Sequence, residues 1–387
     1  MLNFKFSQEH KMIEDSVKKF AKDKVKPLAE DFDQATEFMT KEFLEIYKQE
    51  AELGYFDIII PEQYGGIGDG FDLLSCSIIH KELAKASAGI ALSYLPTVIV
   101  AGAIIAKFGS EKQKEKYLPG SADGSIIPCL CVTEPNAGSD VSGIQAEFYK
   151  DGDAYILNGS KQFITNAPVS NLFYTLAKDR DTGKPCAFLI EPCEGLTTGS
   201  HLNKTGHRAS PTSEVFYDNC RIPLDSIVGE EGSGVEKSLM GIEMERIFCG
   251  SINLGIAEAS LEESVKYAKE RMAFGKPIAN FQLVQLMIAN MSVGVETIRN
   301  MLYFAITDCI ENKDKPKKFP SLSTSIVKYY SGITVQQVAS DGVQIHGGYG
   351  YIKEYPVERY LRDSKLLQIG GGTSQIQAMM IAKNLLS

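Results

Sequence analysis

Two carboxylates in Gly241-Ile-Glu-Met-Glu-Arg-Ile-Phe-Cys249 are the first candidates for proton chemistry. On a helix, Glu243 has Arg246 three residues on, which predicts a pairing between them. Glu245 instead has Gly241, Ile242, Phe248 and Cys249 as its neighbours three and four residues away. Such a face desolvates a carboxylate, favours its neutral form and lifts its pKa toward the range useful to a general base. The competing reading is a glutamate at the edge of the helix, reaching water.

Two further segments have the composition of ligand loops. Val132-Thr-Glu-Pro-Asn-Ala-Gly-Ser-Asp140 combines a hydroxyl with small residues and turn formers, and can offer backbone N–H groups to an anion or a heteroaromatic edge. Gly347-Gly348-Tyr-Gly350 and Gly370-Gly371-Gly372-Thr373 allow close backbone approach to a ligand. A surface turn and a helix end are the plainer explanations of the same patterns.

The 387 residues carry 40 Lys+Arg against 49 Asp+Glu, a net charge of −9, and 44% are hydrophobic. This is a soluble globular composition, which excludes disordered, collagenous and disulfide-stapled classes. Without a basic stripe the chain is not expected to bind nucleic acid; the Lys313–Lys318 run reads as a solvated loop. Eight scattered cysteines without a CxxC pair read as reduced, buried thiols, and five histidines show no metal-ligand spacing, so no metal is expected. An amphipathic pattern begins near Ser7 with no signal-peptide character, so a cytoplasmic location is expected. Ala86–Ala106 is uncharged over about a bilayer's thickness, but Pro96 and the polar Ser87, Ser93, Tyr94 and Thr97 favour helices buried in the core over a membrane span.

The elements that must position these residues fall into three blocks. Residues 7–121 have helical periodicity, punctuated by the glycine-rich Pro61–Gly70 loop. From about Thr133 the pattern alternates, in Phe148–Leu157 around the Asp151-Gly152 turn, in Leu172–Ala177 and in Cys186–Glu191. After Pro223 helices return: Ser233-Gly-Val-Glu236 has the form of a capping box opening a helix to about Ala273, followed by helices over Phe281–Glu311 and Ser323–Ile345. The expected fold is α+β and mostly α. It comprises an N-terminal helical domain (1–121), a β-barrel or β-sandwich domain (122–230) and a C-terminal four-helix bundle (231–387).

From about Phe6 to its end the chain resembles the acyl-CoA dehydrogenases. The resemblance is carried by Thr133-Glu-Pro-Asn-Ala-Gly-Ser-Asp140, Asn158-Gly-Ser-Lys-Gln-Phe-Ile-Thr-Asn166 and Arg271-Met-Ala-Phe-Gly-Lys-Pro277 with Gln282. It continues through Gln344-Ile-His-Gly-Gly-Tyr-Gly350, Arg359-Tyr-Leu-Arg-Asp363 and Gly372-Thr-Ser-Gln-Ile-Gln377. It implies the same three-part fold and FAD as cofactor. It places Thr133 at the pyrimidine edge of the isoalloxazine, Phe163 where the family often has Trp, Thr165 near N5, and Ser139 beside cofactor and substrate. Arg271, Phe274, Gln282, Gln344, Gly347 and Gly348 would meet the adenine dinucleotide of a neighbouring subunit, with Thr373 and Gln375 on the pyrophosphate side. A shared site implies a homo-oligomer, in this family usually a tetramer.

Gly371 is the informative departure, because most members carry their catalytic glutamate immediately before the Gly-Thr that is Gly372-Thr373 here. The isovaleryl-CoA dehydrogenase subgroup, which Ser93-Tyr94 and Glu134-Pro-Asn136 also resemble, places it on the long helix at the position of Glu245. The resemblance implies that Glu245 takes the α-proton of a short branched or alicyclic acyl-CoA while the β-hydrogen leaves as hydride. The Gly371 N–H would hydrogen-bond the thioester carbonyl. Ser139 and Arg246 would hold the CoA moiety, and Tyr94 and Glu243 complete the expected substrate-binding set. Electrons would pass to an electron-transferring flavoprotein. The alternatives are an acyl-CoA oxidase, an alicyclic acyl-CoA dehydrogenase that takes its proton elsewhere on the ring, and a nucleic-acid-binding flavoprotein of this fold.

Overall fold

The computed structural model describes residues 6–67, 72–312 and 321–386, so the Lys313–Lys318 run lies outside the described residues. The N-terminal block is helical: α1 (Gln8–Phe20), α2 (Ala29–Gln34), α3 (Thr40–Glu52), α4 (Leu73–Ala86), α5 (Ala88–Thr97), α6 (Ala106–Phe108) and α7 (Glu111–Ala122). Ser7 and Ser110 each close a capping box, with His10 and Gln113 returning the bond, so two helix starts have their orphan N–H groups satisfied by side chains. The apolar Ala88–Phe108 stretch is long enough to cross a membrane, but its most apolar window is entirely buried among the other helices. Pro96 does not end α5, and the chain continues past Thr97 as a widened, π-type helix over Val98–Ile105.

Seven strands follow: β1 (Pro128–Cys131), β2 (Glu147–Asp151), β3 (Ala154–Thr165), β4 (Leu172–Asp179), β5 (Pro185–Ile190), β6 (Leu196–Thr198) and β7 (Thr212–Pro223). They form one sheet in the order β1-β4-β2-β3-β7-β6, with β5 also paired to β4. The β2–β3 hairpin turns at Gly152, whose φ of 60° lies in the left-handed region. Its core packs Phe148, Tyr155 and Phe188 edge to face. Along the β3–β7 pairing the register slips between Lys161 and Ile164. That irregularity falls within the motif expected to meet the flavin ring.

A two-stranded hairpin (β8, Met272–Ala273; β9, Lys276–Pro277) interrupts the C-terminal helices. The bundle comprises α8 (Gly234–Glu270), α9 (Gln282–Glu311), α10 (Ser321–His346) and α12 (Ser374–Leu386), with the short α11 (Val357–Ser364) before α12. The capping box expected at Ser233 does not form. Ser233 is not extended, and its hydroxyl bonds the Glu230 carbonyl and accepts from Lys237 instead of capping α8. The helix stops at Glu270, three residues short of the expected Ala273, because Arg271 turns extended into the β8–β9 hairpin.

Candidate active site

The terminal glycines cross directly over α8 at Glu245. Gly371 and Gly372 have φ of 65° and 82°, a conformation that glycine adopts without the penalty paid by other residues. A Cβ built on Gly371 would lie 3.1 Å from Glu245 Oε1 and 3.1 Å from Cys249 Sγ. The two residues singled out for the base and for the carbonyl contact, 126 positions apart, therefore lie side by side, with room for no side chain between them. The loop is tied down from below: buried Lys328 of α10 donates through Nζ to the Gly370 carbonyl at 2.8 Å and to the Leu367 carbonyl. Gln377, at the start of α12, donates to the Gly371 and Gly372 carbonyls at 3.4 and 3.3 Å.

Desolvation raises the Glu245 pKa, opposed by the charges of Lys328 and Arg246. Burial pushes the neighbouring Cys249 thiol up to about 12, so it is neutral near pH 7. The expected Glu243–Arg246 contact pair is not made: Arg246 is buried and donates through a terminal guanidinium nitrogen to Ser325 Oγ at 3.2 Å. Glu243 and Arg246 still influence each other, since burial raises the Glu243 pKa and the Arg246 charge lowers it. Arg246 Nε is buried without an acceptor, so the site holds an unsatisfied donor of the kind a ligand oxygen can meet.

The flavin-facing candidates gather on the β-domain. The Thr133 carbonyl accepts from Gln162 N at 2.9 Å, which ties the Val132–Asp140 turn to β3. Glu134 accepts from Gln145 N (2.6 Å), Ala146 N (3.0 Å) and the Lys161 ammonium (2.7 Å), and Lys161 also reaches the Val132 carbonyl at 3.3 Å. Phe163 sits in the β3 irregularity with φ at 61°, and its ring is 66% exposed. A non-glycine residue at positive φ is strained, and such strain clusters at active sites and ligand clamps. Thr165, two residues on, is half-buried opposite Thr212, and Asn166 donates to the Ser93 carbonyl at 2.8 Å. Ser139 is exposed on the same turn as Thr133.

The second cofactor set lies apart. Arg271, Gly347 and Gly348 line a cavity of about 400 Å³ together with Tyr267, His346 and Tyr349, and none of Thr133, Phe163 or Thr165 lines it. Arg271 stacks on the Tyr349 ring at 5.3 Å, and Cβ atoms on Gly347 or Gly348 would meet open space. Phe274, at the tip of the hairpin, is 94% exposed with φ at 51°; Gln282 and Gln344 are exposed at the start of α9 and the end of α10. Thr373 accepts from Ile376 N at 3.2 Å at the start of α12, beside exposed Gln375. Tyr94 is a correction: it has no exposed surface, packs against Phe56 and His80, and donates its hydroxyl to the Tyr55 carbonyl at 2.6 Å. A tyrosine so enclosed supports the core beneath α5 instead of contacting substrate.

Sequence reasoning passed over Lys328, and gave no role to Lys161 and Glu134 within the motifs that contain them. Lys328 has Thr324, Ser325, Ser331 and Gly332 as its helical neighbours, a small-residue face that invites close packing and offers no acidic partner. That pattern is the available signal for a buried lysine with a longer-range duty.

With this geometry in view, the similarity to known proteins takes on structural meaning. The family models for the acyl-CoA dehydrogenase N-terminal, middle and C-terminal domains match residues 7–125, 129–220 and 232–386. The chain is 37% identical over 383 residues to the mitochondrial isovaleryl-CoA dehydrogenase of Bos taurus, covering 97% of this chain and 88% of that one. The butyryl-CoA dehydrogenase structure from Megasphaera elsdenii superposes with a TM-score of 0.93 at 35% identity, with both chains covered in full. An acyl-CoA dehydrogenase from Bacillus anthracis, solved in complex with FAD, superposes with a TM-score of 0.93 at 29% identity, over all of this chain and 68% of that one. The chain belongs to the acyl-CoA dehydrogenase family, flavoprotein oxidoreductases that act on CH–CH groups, and has that family's fold of helical, β and helical domains.

Proposed function

We propose that the protein dehydrogenates a short branched or alicyclic acyl-CoA to its 2,3-enoyl thioester, with Glu245 as the base. The observation that carries the reading is that a side chain starting at position 371 would enter the space of the Glu245 carboxylate. The loop position from which most relatives extend their glutamate lies within van der Waals reach of the Glu245 carboxylate, so a helix-borne carboxylate fills the space a loop-borne one would leave. A raised pKa makes it a better proton acceptor, while Lys328 and Arg246 oppose its neutralisation.

The residues fit FAD in two half-sites, the exposed Phe163 with Thr133, Ser139 and Thr165 on the β-domain, and the Arg271–Gly347–Gly348 cavity with Phe274, Gln282 and Gln344 on the bundle. Thr373 and Gln375 would stand on the pyrophosphate side. Bound FAD supplies the hydride acceptor. Separation of the half-sites within one chain supports a homo-oligomer, a tetramer in this reading, whose neighbour completes the site. Exposed Leu283, Leu286 and Val293 on α9 and Met379 and Leu385 on α12 supply apolar surface for such an assembly. Arg246 and Ser139 hold the CoA moiety, and Gly371 N–H meets the thioester carbonyl. The electron acceptor in this reading is an electron-transferring flavoprotein, and the location is cytoplasmic.

Anaerobic flavin bleaching with straight, branched and cyclic acyl-CoAs tests the substrate class, with branched or cyclic chains expected to bleach fastest. Glu245→Gln is expected to retain FAD and fold while losing about three or more orders of magnitude in kcat, and Glu243→Gln to lose less than about tenfold. Equal losses in the two variants would remove Glu245 from the role. Because the Glu245 pKa is raised, kcat/KM is expected to fall on the acid side at a pH above that of an ordinary carboxylate, as the base takes up its proton.

A further inference from the structure

We propose that Lys328 is a positioning residue for this reaction: its ammonium clamps the Leu367 and Gly370 carbonyls, which sets Gly371 against Glu245, and places a positive charge near that carboxylate. The inference rests on the reading of Glu245 as the base. Lys328 is 1% exposed, and both of its acceptors lie in the segment that leads into Gly371. Among the described residues, no carboxylate forms an ion pair with it within 4.0 Å. A buried ammonium satisfied only by carbonyls keeps a field that a contact partner would have cancelled.

The groups that face Glu245 determine where that field acts. From its own helix come the charge of Arg246 and, one turn on, the Cys249 thiol; from α10 comes Lys328; the terminal loop presents Gly371. Burial lowers the Lys328 pKa, opposed by Cys249 and Glu245; with the Cys249 thiol held neutral, Glu245 is the anion left to keep the ammonium charged. The same side chain therefore holds the loop, through two hydrogen bonds, and biases the base toward its ionised form. Either role alone would be structural, but together they couple the distance between Gly371 and Glu245 to the charge state of Glu245.

The test compares FAD-loaded wild type with K328M, K328Q and K328R by pH-rate profile and by amide hydrogen exchange across residues 366–373. K328M is expected to move the acid limb of kcat/KM upward by about one pH unit or more, since removing the opposing cation lets the Glu245 pKa rise. It should also lower kcat at least about tenfold and speed exchange in the loop. K328R should hold the limb near its wild-type position. K328Q, which can donate without charge, should move the limb while slowing loop exchange relative to K328M. If K328M does not accumulate as FAD-loaded protein, K328Q against K328R decides the charge role, and coincident acid limbs would overturn it. An unmoved limb and unchanged exchange in a folded K328M would overturn the inference and leave the base assignment intact. An active E245Q would instead remove the base assignment, and the exchange measurement would then decide the clamp alone.

Discussion

The β-domain turn at Thr133 and the terminal loop at Gly371 are each held by a buried lysine, and the two lysines are partnered differently. Lys161 meets the Glu134 carboxylate at 2.7 Å, and Glu134 is further satisfied by two backbone N–H groups, so charge is cancelled on the spot. Lys328 meets only carbonyl oxygens, and its charge extends to Glu245. A closed pair gives a rigid seat for a cofactor and little field beyond it. An open cation holds a loop less firmly but acts on the chemistry beside it. The two loops have different duties in the proposed reaction, and the partnering matches them. The Thr133 turn must stay still, while the Gly371 loop must stand next to a group that gains and loses a proton.

The largest effect should come from breaking the closed pair. Lys161→Met leaves Glu134 buried with its counter-charge gone and is expected to cost about 3–5 kcal/mol, read as a large fall in Tm with loss of FAD. The double variant Lys161→Met with Glu134→Gln should recover much of that loss. If the single variant melted with the wild type, the contrast between the two lysines would fail. Gly371→Ala sharpens the other side: a left-handed alanine costs about 1–2 kcal/mol, and its Cβ would press on Glu245 Oε1. Turnover should fall by about tenfold or more with FAD content unchanged, and a variant of wild-type activity would show that the loop yields freely. Arg271→Ala, outside both loops, should change chain stability by less than about 1 kcal/mol. It should nonetheless reduce the bound-flavin absorbance ratio and shift sedimentation toward smaller species; unchanged values of both would deny it a cross-subunit role.

Much of this is legible in the sequence because it rests on local rules. Helical periodicity and strand alternation are set by near neighbours, and the apolar surroundings of Glu245 follow from three- and four-residue spacing alone. The Glu243–Arg246 pairing fails for a complementary reason: spacing brings two side chains within reach, but a third element, here Ser325 of α10, can take one of them away. Tyr94 fits the subgroup pattern, yet its hydroxyl is committed to Tyr55, a partner 39 residues distant. The capping box at Ser233 has the right letters and the wrong backbone, since a serine that already bonds Glu230 and Lys237 has no capping geometry left. The small-residue face of Lys328 marks it for burial, but its partners cannot be read from the sequence, because they are carbonyls about forty residues away and carbonyls leave no mark there.

The separation of the Phe163 surface from the Arg271 cavity also has a consequence for handling the protein. In the proposed assembly a single chain offers only half of a cradle, so cofactor retention depends on protein concentration. Dilution should release flavin even when free FAD is held constant, and added FAD should drive association by mass action. Activity assayed at nanomolar enzyme would then decline with time after dilution, with a lag on reconstitution that shortens as chain concentration rises.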